Sequence, residues 1–438
     1  MTTNLALTGG PYVPPRWTID LSLPPRDRYR ELARHYRDQV QDLTGLFDAL
    51  LRDVAIPEKW IPSINRLSRL LLRRIHNKSQ TEELVGISEE SGIPMYLLVA
   101  FNVILDLLMG CTSGGVRSLE RGRPLAEAKM LHFRTLDWSM EPLRRIVVQL
   151  DFVRSSSADP DKVLASSITY VGFTGVLTGV RAGLSMSLNF RGLHDNSTKA
   201  SQFRFYFHHL LVLLGRRPSI ATYLRGYLTG DYEAVAVTRN TTRRTKKNTI
   251  EAVLLISPMS LANIHQDIQR HHTTAAYLIF SDGNSTISID KDFRTAKMRC
   301  SQDFIATTNH DIVVHHEDQK ENVVAARAAQ SAARHAAGFN EFLDESEDRL
   351  KCLADRWKRL VSRRHKDKAK KGQESTKEET ASETALTRKQ VIEWVSKYPT
   401  TNECTHFGAV MDPTVGDIIW CLAYPKALRE DFQPQLES

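Results

Sequence analysis

A cysteine at position 111 has the clearest potential for covalent chemistry in this sequence. Cys111 lies in the run MGCTSGG, residues 109–115. The apolar stretch LLVAFNVILDLLM (97–109) precedes it, and the strand-like segments LHFRTLDW (131–138) and IVVQLDF (146–152) follow. A thiol placed between a buried helix and strands can serve as a nucleophile. A cysteine in apolar surroundings is more often a small core residue, so the neighbouring residues decide between the two interpretations.

Composition narrows the class of protein. The chain has 438 residues, of which 41% are hydrophobic and 25% are charged, as in ordinary globular proteins. Its formal net charge is +8, with basic runs at 243–247 and 363–371 that could contact anionic lipid. No nucleic-acid recognition module accompanies these runs, so we predict no specific nucleic-acid binding. The five cysteines are widely spaced and include no C-x-x-C pair, which argues against a disulfide framework or a zinc ribbon.

Other ligand and targeting signals are weak. The histidine pairs at 208–209, 271–272 and 315–316 are adjacent in sequence and lack the i, i+4 spacing of a helical metal motif, so we predict no metal. Neither of the two common glycine-rich nucleotide motifs is present, and we predict no cofactor. The N-terminus has no basic region leading into an apolar run, so we expect no signal peptide and an intracellular, cytoplasmic protein.

The elements that would position Cys111 change type at that residue. Helical spacing of apolar residues predicts helices at 26–54, 56–75, 81–92 and 97–109. Strand patterns follow at 131–136, 146–153, 167–171 and 184–190, with hairpins at 275–289 and 405–424. Helices are predicted at 203–214, 220–227, 323–342, 347–361 and 389–397, and the densely charged segment 363–388 is predicted to be a disordered insertion. This order predicts an α+β fold, with an N-terminal helical segment (1–110) and a main domain (111–438).

Short motifs spread along the chain resemble the acid ceramidase and N-acylethanolamine-hydrolysing acid amidase family of N-terminal-nucleophile hydrolases. The likeness runs from about residue 15 to about residue 424. The motifs are WTIDLSLPP (17–25), GIP (92–94), FN (101–102), CTS (111–113), RTLDW (134–138), VQLDF (148–152), GFTGVLTG (172–179), TNHD (308–311) and DRLKCL (348–353). The resemblance implies a four-layer αββα sandwich whose N-terminal segment stays associated after the chain is cut.

The resemblance also implies a reaction. The bond between Gly110 and Cys111 would be cut by the protein itself, which would make Cys111 a new N-terminus. An α-amino group has a reference pKa near 7.7–8.0, so it can act as general base to its own thiol. The thiolate would attack the amide of a ceramide or a related N-acyl lipid, and water would hydrolyse the acyl-enzyme. The implied partner is a lipid amide substrate. A peripheral contact with a membrane surface is expected from the basic runs at 243–247 and 363–371.

Four further site residues come from the resemblance. Asp137 would hold the α-ammonium group, and Arg134 would orient the site and polarise an oxygen. Asn309 would stabilise the oxyanion, and Arg349 matches a late arginine of the family. From the residues alone, a structural ion pair for the R-x-x-D motif and an Asx turn at Asn309 remain alternatives.

Three departures from the family pattern affect the expected function. Phe190 stands where the family often has a glutamate, the connection from Cys111 to Arg134 is longer and charged, and a lysosomal signal peptide is not seen. We therefore expect a working pH nearer neutral. Two other functions remain open: an N-acyltransferase, in which an amine replaces water in attacking the acyl-enzyme, and a non-catalytic lipid-binding relative.

Overall fold

The structure is a computed structural model that describes residues 10–53, 57–104, 110–192, 194–195, 197–230, 260–312, 339–373 and 375–428. The basic run 243–247 and most of the helix predicted at 323–342 lie outside these residues. The predicted change from helices to strands at Cys111 is present in the described part.

The N-terminal part contains one strand, β1 (Arg16–Asp20), followed by helices. The helices are α1 (Arg30–His35), α2 (Arg37–Gln41), α3 (Leu46–Asp53), α4 (Ile61–Leu71), α5 (Lys78–Ser91) and α6 (Met95–Ile104). Helix α5 has clear end signals: the Asn77 side chain accepts a hydrogen bond from the Gln80 N–H, and Gly92 ends the helix with a φ of +76°.

Twelve strands and six α-helices follow in the described residues. The strands are β2 (Gly110–Ser118), β3 (Lys129–Asp137), β4 (Val147–Val153), β5 (Ala165–Tyr170), β6 (Thr178–Arg181), β7 (Leu184–Phe190), β8 (Ala276–Ser281), β9 (Thr286–Lys291), β10 (Ala296–Ser301), β11 (Phe304–Thr307), β12 (Thr405–Asp412) and β13 (Asp417–Ala423). The helices are α7 (Lys199–Leu213), α8 (Ile220–Thr229), α9 (Leu261–Arg270), α10 (Phe339–Lys370), α11 (Lys377–Glu383) and α12 (Arg388–Ser396).

The strands form two sheets that pack face to face. One has eight strands in the order β1-β4-β5-β6-β7-β8-β9-β10, and the other has five in the order β11-β2-β3-β12-β13. Helices α8 and α9 contact the outer face of the first sheet, and α10 and α12 contact the outer face of the second. The architecture is therefore the four-layer αββα sandwich that was predicted, within the α+β class.

Two glycines allow the strand that carries Cys111 to pack closely. A Cβ atom on Gly114 would lie 2.1 Å from the Ile305 carbonyl oxygen of β11. A Cβ atom on Gly115 would lie 2.0 Å from the Thr286 hydroxyl of β9, in the opposite sheet. The GG pair after the C-T-S motif thus sets how near β2 lies to both neighbours.

The prediction of a disordered insertion at 363–388 is corrected by the structure. Helix α10 continues to Lys370, and α11 begins with a capping box formed by Thr376 and Glu379. The Arg364 guanidinium donates to the carbonyl oxygens of Glu383 and Ala385, which ties the two helices together. The high density of charged residues wrongly suggested disorder, because hydrogen bonds between α11 and the end of α10 stabilise both helices.

The two predicted segments, 1–110 and 111–438, share one sheet and one core. Strand β1 pairs in parallel with β4. The buried Glu83 carboxylate of α5 binds Arg225 of α8, with Nη2–Oε1 at 2.6 Å. The Asn102 side chain of α6 donates to the Gly172 carbonyl and accepts from the Thr174 N–H, both at 2.8 Å. These contacts cross the division at 110/111, which itself remains a prediction.

Candidate active site

Strand β2 places Cys111 in the interior between the two sheets. Cys111 pairs with Leu136 of β3 and is fully buried. Its Sγ lies 3.8 Å from the Leu188 carbonyl oxygen of β7, in the opposite sheet. Burial raises the pKa of the thiol, and the positive charge of Arg134 opposes that shift. The thiol is therefore neutral at physiological pH and needs a base before it can attack.

Arg134 lies on β3, on the same face of the sheet as Cys111. Its Nη1 donates to the Ser113 hydroxyl at 3.0 Å and to the Asn189 side-chain oxygen of β7. Arg134 is fully buried, and neither its Nε nor its Nη2 has an acceptor among the described residues. A buried guanidinium with two unused donors can bind an oxygen atom that is gaining negative charge.

Asp137 lies on the opposite face of β3, because residues three apart on a strand point to opposite sides. Its Oδ2 accepts from Arg349 Nη1 of α10 at 2.6 Å, and its Oδ1 accepts from the Thr405 hydroxyl of β12 at 2.7 Å. Side-chain exposure is 2% for both members of the Arg349–Asp137 ion pair. The R-x-x-D motif therefore places one charged side chain on each face of the sheet. Arg134 and Asp137 do not form an ion pair with each other.

Asn309 connects the two faces at the end of β11. Its Oδ1 accepts from the Cys111 N–H at 2.7 Å and from Arg349 Nη2 at 3.2 Å. Its Nδ2 donates to the Phe190 carbonyl oxygen at 2.9 Å. The orientation of the Asn309 side-chain amide is therefore fixed, because its oxygen faces two N–H donors and its nitrogen faces a carbonyl oxygen.

The structure thus brings the five predicted site residues into one connected group. The connection runs from Asp137 through Arg349 and Asn309 to the Cys111 nitrogen, with Arg134 on the thiol side. In this uncut chain the carbonyl oxygen of Asn309 faces Cys111, while its amide nitrogen is held by Phe190. The oxyanion role of Asn309 stays a prediction.

Three residues of this group were missed by the sequence reasoning. Asn189 links Arg134 to the Thr307 carbonyl, Thr405 holds Asp137, and Ser346 accepts the Asn309 N–H at 2.8 Å. A signal existed only for Asn189, which is the one amide in the alternating run LSMSLNF and is fully buried. Phe190 contributes its carbonyl oxygen to the site, which any residue at that position would supply.

Buried histidines surround the site and are neutral. His132 of β3 is fully buried, with Nδ1 at 2.9 Å from the Ser185 hydroxyl and Nε2 at 2.8 Å from the Ser187 hydroxyl. Burial, reinforced by Arg134, lowers the pKa of His132 to about 3. Burial also lowers the pKa of His406, which lies beside Thr405 and binds the Tyr170 hydroxyl at 2.8 Å.

The described residues contain no group of three or more His, Cys, Asp or Glu side chains that could hold a metal ion. The prediction of no metal and no cofactor stands as a prediction. The group around Cys111 can position an amide nitrogen, a thiol and a guanidinium, which are the components of acyl transfer.

Comparisons with known proteins identify relatives of this chain. Residues 13–76 match the family profile described as the beta subunit of N-acylethanolamine-hydrolyzing acid amidase. An N-acylethanolamine-hydrolyzing acid amidase of Caenorhabditis elegans is 29% identical over 195 residues, which cover 42% of this chain and 50% of that protein. Acid ceramidase of Rattus norvegicus is 29% identical over 192 residues, covering 40% of this chain and 45% of that protein. The chain spans about half the length of the curated relatives it matches.

A solved structure is also similar. The Caenorhabditis elegans N-acylethanolamine-hydrolyzing acid amidase ortholog covers 70% of this chain and 94% of its own, with 20% sequence identity and a TM-score of 0.39. The two-sheet αββα sandwich, with a buried cysteine near the start of an inner strand, is the fold that the sequence resemblance implies. In sequence, residues 13–76 and about 40% of the chain in all are therefore similar to the acid ceramidase and N-acylethanolamine-hydrolysing acid amidase family.

Proposed function

We propose that this protein is a ceramidase-like amidohydrolase that cuts the amide bond of a ceramide or a related N-acyl lipid through Cys111. The observation that carries the proposal is the 2.7 Å hydrogen bond from the Cys111 nitrogen to Asn309, backed by Arg349 and Asp137. A network that holds one backbone nitrogen so firmly suits a nitrogen that becomes the catalytic base.

The first step would be self-cleavage. The Cys111 thiol attacks the Gly110 carbonyl carbon, the carbon–nitrogen bond breaks, and the nitrogen takes a proton as it leaves. Water then hydrolyses the thioester to give a Gly110 carboxylate and a Cys111 residue with a free amine and thiol. Asn309 holds the nitrogen throughout, because its carbonyl oxygen accepts equally from an amide N–H and from an amine.

Turnover would use the same atoms. The new α-amine takes the thiol proton, and the thiolate attacks the lipid amide carbonyl. Arg134 offers Nε and Nη2 to the oxygen that becomes negative, since neither has an acceptor among the described residues. The lipid amine leaves with a proton, and water releases the fatty acid from the thioester.

The first experiment compares the intact mass of the purified protein with that of its Cys111→Ala variant after incubation at pH 4–8. Two fragments that divide between residues 110 and 111, formed only by the parent, are the expected result. The processed protein should then release fatty acid from ceramide or an N-acylethanolamine. A chain that stays whole and inactive at every pH would refute the proposal in favour of a non-catalytic relative.

We also propose that one face of the protein contacts a lipid surface. Helices α4 and α7, which both contact α6, expose large apolar side chains. These are Trp60, just before α4, with Leu67, Leu70 and Leu71 of α4 and Phe203, Tyr206, Phe207 and Leu210 of α7. Exposed arginines at 66, 69 and 73 lie on α4 or just beyond its end. Apolar side chains beside basic ones suit the interface of an anionic membrane.

Vesicle flotation tests this surface, using neutral vesicles and vesicles with anionic lipid. None of the described helices is long and apolar enough to cross a membrane. Binding to anionic vesicles through the arginines of this surface should weaken with salt. Leu70→Glu and Phe203→Glu should reduce flotation, because these side chains are 58% and 68% exposed. Val415→Glu, at a 65% exposed position in the β12–β13 turn, outside α4 and α7, is the control. Equal flotation of all three variants and the parent would refute the proposal.

The site of action is proposed to be inside the cell at a pH near neutral. The supporting observation is the set of buried neutral histidines, since a fold that keeps His132 uncharged loses stability in acid. A pH–rate profile that peaks below about pH 5, where carboxylates titrate, would count against this proposal.

A further inference from the structure

Asn309 lies in a segment, residues 308–312, that is not part of the β-sheet. Strand β11 ends at Thr307, and residues 308–312 have no strand or helix structure. On the side of α10, the Asn309 N–H donates to the Ser346 hydroxyl. A second anchor of this segment lies on the side of β7, next to the hydrogen bond from Asn309 Nδ2 to the Phe190 carbonyl oxygen.

Arg191 and Asp311 form that second anchor. Arg191 Nε lies 2.8 Å from Asp311 Oδ1, and Arg191 Nη2 lies 2.6 Å from Asp311 Oδ2, which makes a bidentate pair. The Tyr277 hydroxyl donates to the same carboxylate at 2.6 Å, and the Arg191 guanidinium lies over the Tyr277 ring. Bidentate arginine–carboxylate pairs fix orientation as well as distance.

The Arg191–Asp311 ion pair joins the end of β7 to the segment 308–312, and the Asn309 side chain joins the same two parts of the chain. Arg191 directly follows Phe190, whose carbonyl accepts from Asn309 Nδ2, and Asp311 lies two residues after Asn309. We propose that Arg191 and Asp311 are positioning residues that hold the Asn309 carbonyl oxygen on the Cys111 nitrogen. This inference rests on the proposed function for its catalytic consequence, but its structural consequence can be measured without any activity.

The matched control is the ion pair between Arg117 and Asp303. Its members are 17% and 30% exposed, against 13% and 30% for Arg191 and Asp311, so the two pairs are similarly shielded from solvent. Arg117 lies at the far end of β2 from Cys111. A purely structural role for Arg191 therefore predicts equal effects of Arg191→Gln and Arg117→Gln.

Two measurements distinguish positioning from simple stability. In the Cys111→Ala chain, hydrogen exchange at the backbone amide of residue 111 reports its bond to Asn309. Arg191→Gln and Asp311→Asn should each speed that exchange by about tenfold, an effect of one lost hydrogen bond, while Arg117→Gln should leave it unchanged. The double variant should be no faster than either single one, because the two residues act through one contact.

In the chain with Cys111 intact, the second measurement is the rate of self-cleavage. Arg191→Gln should slow it by about ten- to a hundredfold, as expected for a misplaced reacting group, and Arg117→Gln should not. If the parent chain does not cleave, the proposed function fails and the exchange measurement still decides this inference. Equal exchange at residue 111 in Arg191→Gln and Arg117→Gln would overturn it.

Discussion

The proton affinity of His132 gives a quantitative test of how the site tolerates acid. In the folded protein its pKa is lowered from 6.5 to about 3, because the ring is buried and Arg134 lies nearby. Below pH 6.5 the unfolded chain therefore binds a proton that the folded chain does not. Stability must fall as the pH drops from about 6.5 toward about 3.

The size of the effect follows from the same values. One pKa unit corresponds to about 1.4 kcal/mol, so His132 alone should cost about 3 kcal/mol of folding free energy between pH 7 and pH 4. Other buried histidines, such as His406, act in the same direction. The His132→Gln variant removes the titration but keeps an amide that can bond the Ser185 and Ser187 hydroxyls.

The measurement is chemical denaturation at pH 7, 5 and 4, in the Cys111→Ala background so that the chain stays whole. His132→Gln should be less stable than its parent at pH 7, because a well-packed ring is lost, but it should lose about 3 kcal/mol less on going to pH 4. Equal pH dependence in His132→Gln and the parent would refute the assignment of a buried neutral histidine.

Three further predictions concern the site and its surroundings. Thr405→Val removes the donor to Asp137, a loss of about 1–3 kcal/mol, and should slow self-cleavage by about tenfold or more. An unchanged rate would show that Arg349 alone holds the carboxylate. Glu83→Gln breaks a buried ion pair and should cost about 3–5 kcal/mol. In the self-cleaved protein, residues 1–110, which contain no cysteine, should then separate from the rest in mild urea on size exclusion; co-elution would contradict this. Gly115→Ala should lower the melting temperature sharply because its Cβ would overlap a hydroxyl at 2.0 Å, while Gly45→Ala, with open space, should not.

Much of the fold could be predicted from sequence because its signals are local. The change from period 3.6 to period 2 at Cys111 and the turn residues of the two hairpins are properties of neighbouring residues. The parallel pairing of β1 with β4 could not be predicted, since it joins residues 16–20 to 149–153. The helices within 363–388 were missed because their stability comes from contacts such as that of Arg364 with Ala385.

The candidate site shows the same limit. The resemblance named Cys111, Arg134, Asp137, Asn309 and Arg349, and the structure connects them. It gave no indication that the two charges of the R-x-x-D motif lie on opposite faces of β3, although strand alternation predicts this once the strand is known. The orientation of the Asn309 amide depends on three partners far apart in sequence, so only the folded chain determines it.

The charge balance of the site bears on the pH at which Cys111 would work. The negative charge of Asp137 is already matched by Arg349, and Arg134 is buried without a carboxylate partner among the described residues. A new α-ammonium group at Cys111 would enter surroundings with an excess positive charge, which disfavours its protonated form. The amine should therefore have a pKa below the usual 7.7–8.0 and be largely available as a base at neutral pH.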